Sequence, residues 1–140
     1  MEQFISFHES VPFSVLIEML SEADAGLHTM VDEHFGISVV EFMAAGMIPI
    51  AHNSAGPKED IVGAANAYYG RTSGSDTTKA SSAGFLASSV DEYANAMVAL
   101  TSMTSRSRLE VASNARAYVK ERFSIDTFSK EFQKQTHHII

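Results

Sequence analysis

The chain contains no cysteine in its 140 residues. A disulfide framework and a metal site built on thiolates are therefore excluded, and the composition is compatible with a reducing compartment. Long apolar runs are also missing, because no stretch approaches the roughly 18 residues that a membrane-spanning helix needs. No signal-peptide pattern opens the sequence. We therefore expect no membrane segment within these residues.

Basic residues are scarce. The chain has 10 lysines and arginines against 17 aspartates and glutamates, which gives a formal net charge of -7 and a pI near 5.2. Such a chain has no basic stripe to neutralise the phosphates of DNA or RNA, so nucleic acid is excluded as a partner. If the chain binds a small phosphate-bearing molecule, local backbone amides and a few cations must do so.

Residues 26–62 show the pattern of a βαβ unit. An apolar run at residues 26–30 is followed by a short acidic loop, a small-residue helix that ends at Gly46, and a second apolar run at residues 48–51. Strand, loop, helix and strand in this order are typical of a parallel sheet. Ligands of such sheets bind beyond the carboxyl ends of the strands, where the loop turns into the helix.

The predicted helix start at Gly36 is suited to hold an anion. The first N–H groups of a helix lack partners within the helix, and the helix dipole places partial positive charge there. Gly36 has no Cβ, so anionic oxygens can approach its amide and those of Ile37 and Ser38. We therefore predict a phosphate-binding turn at this point.

Two glutamates bracket this turn. Glu33 precedes the helix, and Glu41 follows on the helix face that also carries Ser38. Together they form a Glu-x7-Glu pattern. One interpretation is a pair of acids that contact the sugars on either side of a bound phosphate. The alternative is two solvated acids near a helix N-terminus, where carboxylates are favourable in any case.

The pattern extends beyond the two acids. The segments LHTM, EHFG, EFMAAG and AHNSAGPK occur in this order between residues 27 and 58. In this combination the chain resembles the retaining GT-B glycosyltransferases and, among them, the dolichol-pathway mannosyltransferases, over about residues 11–123. The resemblance implies an α/β fold with a partial Rossmann-like parallel sheet flanked by helices. Residues 1–140 would then be the C-terminal part of the nucleotide-sugar-binding domain, the donor half of a GT-B fold.

The resemblance also implies a role for each residue of the motif. Glu33 would be the catalytic residue and contact hydroxyls of the donor sugar, while Glu41 would contact the ribose. The other predicted substrate-binding residues lie around the diphosphate and are His34, Phe35, Gly36, Ile37, Ser38 and Lys58. The implied reaction transfers mannose from GDP-mannose, with retention and without a metal ion or other cofactor, to a dolichol-linked oligosaccharide. Its implied location is the cytosolic face of the endoplasmic reticulum membrane.

The chain departs from the common motif at three points. His34 replaces a glycine found in many related transferases, Ala55 replaces one glycine of a paired glycine, and Lys58 replaces an acid. As the only cation in the motif region, Lys58 is interpreted as a phosphate contact, with an ordinary surface lysine as the alternative. For His34 a backbone hydrogen bond is as reasonable as a ligand contact. No third ligand lies at metal spacing from His28 and His52, so we predict no zinc site.

The flanking segments complete the predicted domain. We expect a strand remnant at residues 1–12, a helix at residues 14–23 capped by Ser14, and a flexible insertion at residues 64–83. The predicted buried stripe of the first helix is Val15, Leu16, Met19 and Leu20. A strand at residues 84–87 precedes a helix opened by the capping box of Ser89 and Glu92, and a further helix covers residues 105–122. A terminal crossover helix at residues 125–140, capped by Ser124, carries Phe128, Phe132 and Ile139, which we expect to favour self-association.

The length sets a limit on activity. A GT-B enzyme needs two Rossmann-like halves, and 140 residues suffice for one compact domain. We expect the chain to be the last part of a longer protein, without the N-terminal half that binds the acceptor, and inactive alone. Three alternatives stay open: a non-catalytic nucleotide-sugar-binding module, a related GT-B transferase that uses a UDP-sugar, and a purely structural or dimerising domain.

Overall fold

The protein is described by a computed structural model that covers residues 4–70 and 82–136. Helices and strands alternate along most of it, as the motif unit predicted. In chain order the elements are α1 (Phe13–Glu22), β1 (Ala25–His28), α2 (Ile37–Ala45), β2 (Ile48–His52), a π-helical segment (Pro57–Ile61), α3 (Val62–Tyr68), β3 (Phe85–Ala87), α4 (Val90–Ser102), α5 (Ser105–Phe123) and α6 (Ile125–Thr136). Among these residues, no helix is long and apolar enough to cross a membrane.

The three strands form a parallel sheet in the order β1-β2-β3. His28 of β1 pairs with Ala51 of β2, and His52 pairs with Ala87 of β3. The carboxyl ends of the strands therefore meet at one edge, and the loops that follow β1 and β2 lie side by side there. The predicted α/β class, with a parallel sheet flanked by helices, is confirmed.

The central strand β2 separates two apolar clusters. Its residues alternate between the two faces of the sheet, as in any strand. Ala51 packs with Val39 and Met43 of α2 and with residues of α3 and α5. Ile48 and Ile50 pack on the other face, with α4 and part of α5. Burial on both faces is the reason why the first four residues of β2 are apolar, and only His52 at its carboxyl end is polar.

The first part of the chain differs from the prediction. Residues 4–12 form no strand, and α1 begins at Phe13 after Pro12 instead of being capped by Ser14. Pro12 has a φ of -56°, a value that its ring imposes and that suits the entry to a helix. None of the four residues of the predicted stripe is buried. The stripe prediction is wrong because the described fold places little protein against this helix.

The predicted insertion at residues 64–83 has the wrong boundaries. Its first residues belong to α3, where Asn66 is buried. The Asn66 side chain accepts a hydrogen bond from the Ala83 N–H at 2.8 Å and donates one to the Gly84 carbonyl at 3.3 Å. These two hydrogen bonds join the residues before the segment to the residues after it, which the small polar composition of the segment did not indicate. Residues 71–81 lie outside the described residues.

The helix caps near the end of the chain are confirmed. The Ser89 hydroxyl accepts from the Glu92 N–H, and the Ser124 hydroxyl accepts from the Thr127 N–H at 3.2 Å. Two large apolar side chains of α4 and α5, Met97 and Leu109, are exposed. The terminal helix α6 is described as far as Thr136, and the remainder of the predicted crossover helix lies outside the described residues.

Gly26 generates a prediction about stability. A Cβ at this position would lie 2.4 Å from the Phe42 ring, so β1 and α2 approach closely only because Gly26 has no side chain. We expect Gly26→Ala to lower the free energy of unfolding by about 1–3 kcal/mol through overpacking. Urea denaturation would measure this. In a Phe42→Leu background the cost should shrink by about 1 kcal/mol, and an equal cost in both backgrounds would contradict the proposed clash.

Candidate functional site

The start of α2 lies at the carboxyl edge of the sheet. Gly36 is its N-cap and has a left-handed backbone, with φ +93°. A Cβ there would lie 3.3 Å from Pro57 Cγ and 3.5 Å from Glu33 Cγ. Backbone strain and crowding together explain the glycine at this position. Gly36 is buried and Ser38 is half-buried, whereas Ile37 between them is 67% exposed.

Three N–H groups at the start of α2 have no hydrogen-bond partner among the described residues. The earliest helical bonds are made by the N–H groups of Val39 and Val40, which both donate to the Gly36 carbonyl. In the part of the chain that the structure describes, no hydrogen bond uses the N–H of Gly36, Ile37 or Ser38. These donors and the positive end of the helix dipole are the features that bind phosphates.

The loop after β2 packs tightly against the loop after β1. The Gly56 N–H donates to the Glu33 carbonyl at 2.9 Å. A Cβ on Gly56 would lie 2.4 Å from the carbonyl oxygen of Phe35 and 2.5 Å from that of His34. Only glycine permits this approach. Its neighbour Ala55 has a φ of +41°, where a second glycine would be unstrained and alanine is not.

The two acids lie on either side of the first helical turn. Glu33 is half-buried, and its Cγ lies beside Gly36. Glu41 is exposed on α2, about one turn after Ile37. Across residues 4–70 and 82–136, no salt bridge engages either carboxylate. Both are thus free to accept hydrogen bonds from hydroxyl groups, and their roles stay predictions.

Lys58 forms an ion pair that the sequence did not predict. Pro57–Ile61 is a π-helical segment, and the Lys58 ammonium lies 2.9 Å from the Glu59 carboxylate. Lys58 remains half-exposed, at 47%, and this surface ion pair is weak enough to open. A contact between Lys58 and a phosphate would therefore compete with Glu59. His34 is exposed and makes no hydrogen bond within the described residues.

Phe35 is supported by a distant part of the chain. Its ring packs edge-on against Phe123 at the end of α5, with ring centroids 5.3 Å apart. Phe123 in turn contacts Tyr118, and the Tyr118 hydroxyl donates to the Asp60 carbonyl at 3.3 Å. Sequence patterns gave no indication of this support, because Phe35 and Phe123 lie far apart in the chain.

Polar groups at the strand ends complete the site. The Tyr93 hydroxyl donates to the His28 carbonyl at 2.9 Å, and burial raises the pKa of Tyr93, so this donor stays protonated at neutral pH. The His28 Nδ1 atom is buried and has no hydrogen-bond partner among the described residues. His52 Nδ1 lies 2.8 Å from the Ser54 hydroxyl. Sequence analysis did not include Ser54 in the site.

A metal site is not evident in the described ranges. No group of three or more histidine, aspartate or glutamate side chains there could hold an ion. The residues that converge at the sheet edge are amide donors, hydroxyls and two acids. Such a set can bind an anion flanked by hydroxyl groups, which describes the diphosphate of a nucleotide sugar with its two sugars.

Comparisons with known proteins identify the family. The family model of glycosyl transferases group 1 matches residues 2–98. The GDP-Man:Man(3)GlcNAc(2)-PP-Dol alpha-1,2-mannosyltransferase of Xenopus laevis is 47% identical over 128 residues, which are 91% of this chain and 24% of the relative. The human protein of the same name is 44% identical over 131 residues, 94% of this chain and 24% of its own length. The chain thus spans about a quarter of these curated relatives.

Solved structures show the same architecture. Anabaena Alr3699/HepE in complex with UDP-glucose has a TM-score of 0.60 and 21% identity over 86% of this chain and 29% of that chain. Its complex with UDP and glucose has a TM-score of 0.61 at the same identity and coverage. These neighbours are GT-B transferases, so the predicted fold is confirmed. Since the family model covers most of the chain, the protein belongs to the glycosyl transferases group 1.

Proposed function

We propose that this chain is the nucleotide-sugar-binding part of a retaining mannosyltransferase that uses GDP-mannose and extends a dolichol-linked oligosaccharide. The observation that carries the proposal is the set of unpaired N–H groups at Gly36, Ile37 and Ser38, flanked by Glu33 and Glu41. The names of the curated relatives supply the donor, the sugar and the acceptor. The whole enzyme would work at the cytosolic face of the endoplasmic reticulum membrane.

The geometry supports a division of roles in the site. The diphosphate would accept hydrogen bonds from the amides of residues 35–38. Glu33, beside Gly36, would accept bonds from hydroxyls of the mannose, and Glu41, one turn along α2, from hydroxyls of the ribose. A carboxylate and a diphosphate repel each other at short range. The neutral sugars between them would therefore be the groups that each acid recognises.

Catalysis would depend on charge stabilisation at the leaving group. As the bond between mannose and diphosphate breaks, negative charge grows on the phosphate oxygens. Fixed amide donors aimed at that charge lower the barrier, because they need no rearrangement during the reaction. Lys58 would add a positive charge once it is released from Glu59. The proposed reaction needs no metal ion, and no residue of this part is assigned as a general base.

Nucleotide binding can be tested by NMR. We expect GDP to shift the amide signals of Gly36, Ile37 and Ser38, and UDP to shift them less. Gly36→Ala should weaken GDP binding about tenfold or more. The alanine would be strained at this left-handed position and would displace the first turn of α2, so its N–H groups would lose their hydrogen bonds to the diphosphate. Gly46→Ala is the matched control: Gly46 ends the same helix with φ +91° and has no atom near the position of a Cβ.

Several outcomes would contradict this proposal. Equal weakening by both alanine variants would mean that helix stability, not the site, controls binding. Stronger shifts with UDP than with GDP would favour a transferase that uses a UDP-sugar. No shift at residues 36–38 with either nucleotide would favour a structural or dimerising domain.

The chain alone should not transfer mannose. It spans about a quarter of its curated relatives, and a GT-B reaction takes place between two halves. We expect no product when the purified 140 residues are incubated with GDP-mannose and a lipid-linked acceptor. Radiolabelled mannose in the lipid fraction would measure transfer, and labelled product above the background of a heat-denatured sample would contradict this expectation.

The terminal helix generates a prediction about association. Phe128 and Phe132 stack on each other at 5.9 Å and are 63% and 58% exposed. We propose that the isolated chain self-associates through this surface of α6, because exposed aromatic groups of this size favour burial. Sedimentation at increasing concentration should show a dimer that Phe128→Ser with Phe132→Ser converts to monomer. An unchanged dimer in this variant would place the interface elsewhere.

A further inference from the structure

The acid-bearing loop after β1 has little apolar support. Thr29, Met30, Val31, Asp32 and His34 are all exposed, so the hydrophobic core does not fix their positions. Asp32 also has a left-handed backbone, with φ +54°, which costs free energy for a residue other than glycine. Apart from the edge contact of Phe35 with Phe123, contacts outside the hydrophobic core must therefore hold this loop in place.

Hydrogen bonds from the loop after β2 provide that support. The Ser54 hydroxyl accepts from the Asp32 N–H at 2.9 Å. One residue further on, the Glu33 carbonyl accepts from the Gly56 N–H at 2.9 Å. The Asp32 N–H and the Glu33 carbonyl lie on either side of the peptide unit that joins these two residues. Both are thus held by one short segment, residues 54–56.

His52 forms a hydrogen bond with the serine hydroxyl. Its Nδ1 atom lies 2.8 Å from the Ser54 Oγ. A hydroxyl has one proton to donate and two lone pairs to accept with. Oγ accepts from the Asp32 N–H and keeps its own proton and a second lone pair, one of which it uses for Nδ1 according to the tautomer of His52. We call this arrangement of His52, Ser54 and Asp32 the Ser54 bridge.

We propose that Ser54 is a positioning residue for sugar-nucleotide binding, which it serves by holding Glu33 and the start of α2 through the Ser54 bridge. This inference rests on the proposed function and deepens it. Glu33 follows directly after the bridged Asp32, and Gly36 lies three residues beyond Glu33. A loop fixed in advance loses less conformational entropy on binding, so the bridge raises affinity without contacting the ligand.

The test uses the 140-residue chain and GDP-mannose as the probe. Ser54→Ala removes the acceptor of the Asp32 N–H, so this amide should exchange with deuterium faster. GDP-mannose binding, followed by NMR titration, should weaken about tenfold, as expected for the loss of one positioning hydrogen bond. Ser54→Thr keeps the hydroxyl and should bind more tightly than Ser54→Ala. His52→Ala should show an intermediate loss, because the hydroxyl stays but is no longer oriented.

Ser102→Ala is the matched control for the loss of a serine hydroxyl. The Ser102 hydroxyl donates to the Val98 carbonyl at 2.8 Å on α4, and Ser102 takes no part in the Ser54 bridge. This variant should bind GDP-mannose like the wild type. The urea midpoint of Ser54→Ala should differ from that of Ser102→Ala by little, so that a loss of affinity reports on the loop and not on the whole fold.

The outcomes separate the bridge from the proposed function. Faster Asp32 exchange with unchanged GDP-mannose affinity in Ser54→Ala would overturn the positioning role. Unchanged Asp32 exchange would overturn the bridge itself. Failure of the wild-type chain to bind GDP-mannose or GDP would overturn the proposed function, and with it the positioning role. This last result can be told apart from the other two, because the wild-type chain itself then fails to bind the nucleotide.

Discussion

The close approach of two backbone segments is the constraint on which the candidate site depends. Gly56 lies so near the carbonyl groups of His34 and Phe35 that any side chain would separate the two loops. Two other contacts depend on this approach. Pro57 lies beside Gly36, and the Ser54 hydroxyl accepts a hydrogen bond from the Asp32 N–H. The sheet places the two loops side by side, and this close approach brings their polar groups within hydrogen-bond distance.

Local signals explain which parts of the structure the sequence predicts well. The β1-α2-β2 unit follows from apolar runs and two glycines, and both ends of α2 have the left-handed backbone that those glycines supply. The caps at Ser89 and Ser124 are similarly local. Predictions are wrong where contacts with distant residues determine the structure. The apolar stripe of α1, for example, is only slightly covered by other described residues.

The support of the site was harder to predict than its binding groups. Glu33, Gly36 and Ile37 form a compact motif that a single sequence shows, and within the described ranges the N–H groups of Gly36 and Ile37 have no hydrogen-bond partner. Ser54 reaches Asp32 across 22 positions, and Phe35 meets Phe123 from the far end of α5. Such pairs have no periodicity and no fixed spacing, so a single sequence gives no means of detecting them.

Net charge has little influence on what this site can bind. The chain carries a formal charge of -7, yet the groups available to an anion are neutral amides at a helix end. Lys58 is already paired with Glu59, so its contribution to a bound diphosphate is reduced by the loss of that pair. Amide donors weaken less with salt than surface cations do, because they carry no exchangeable counterion. The hydrogen bonds that these amides offer to an anion depend on fixed geometry. The contacts that hold the loop are therefore more important for anion binding at this site than added positive charge.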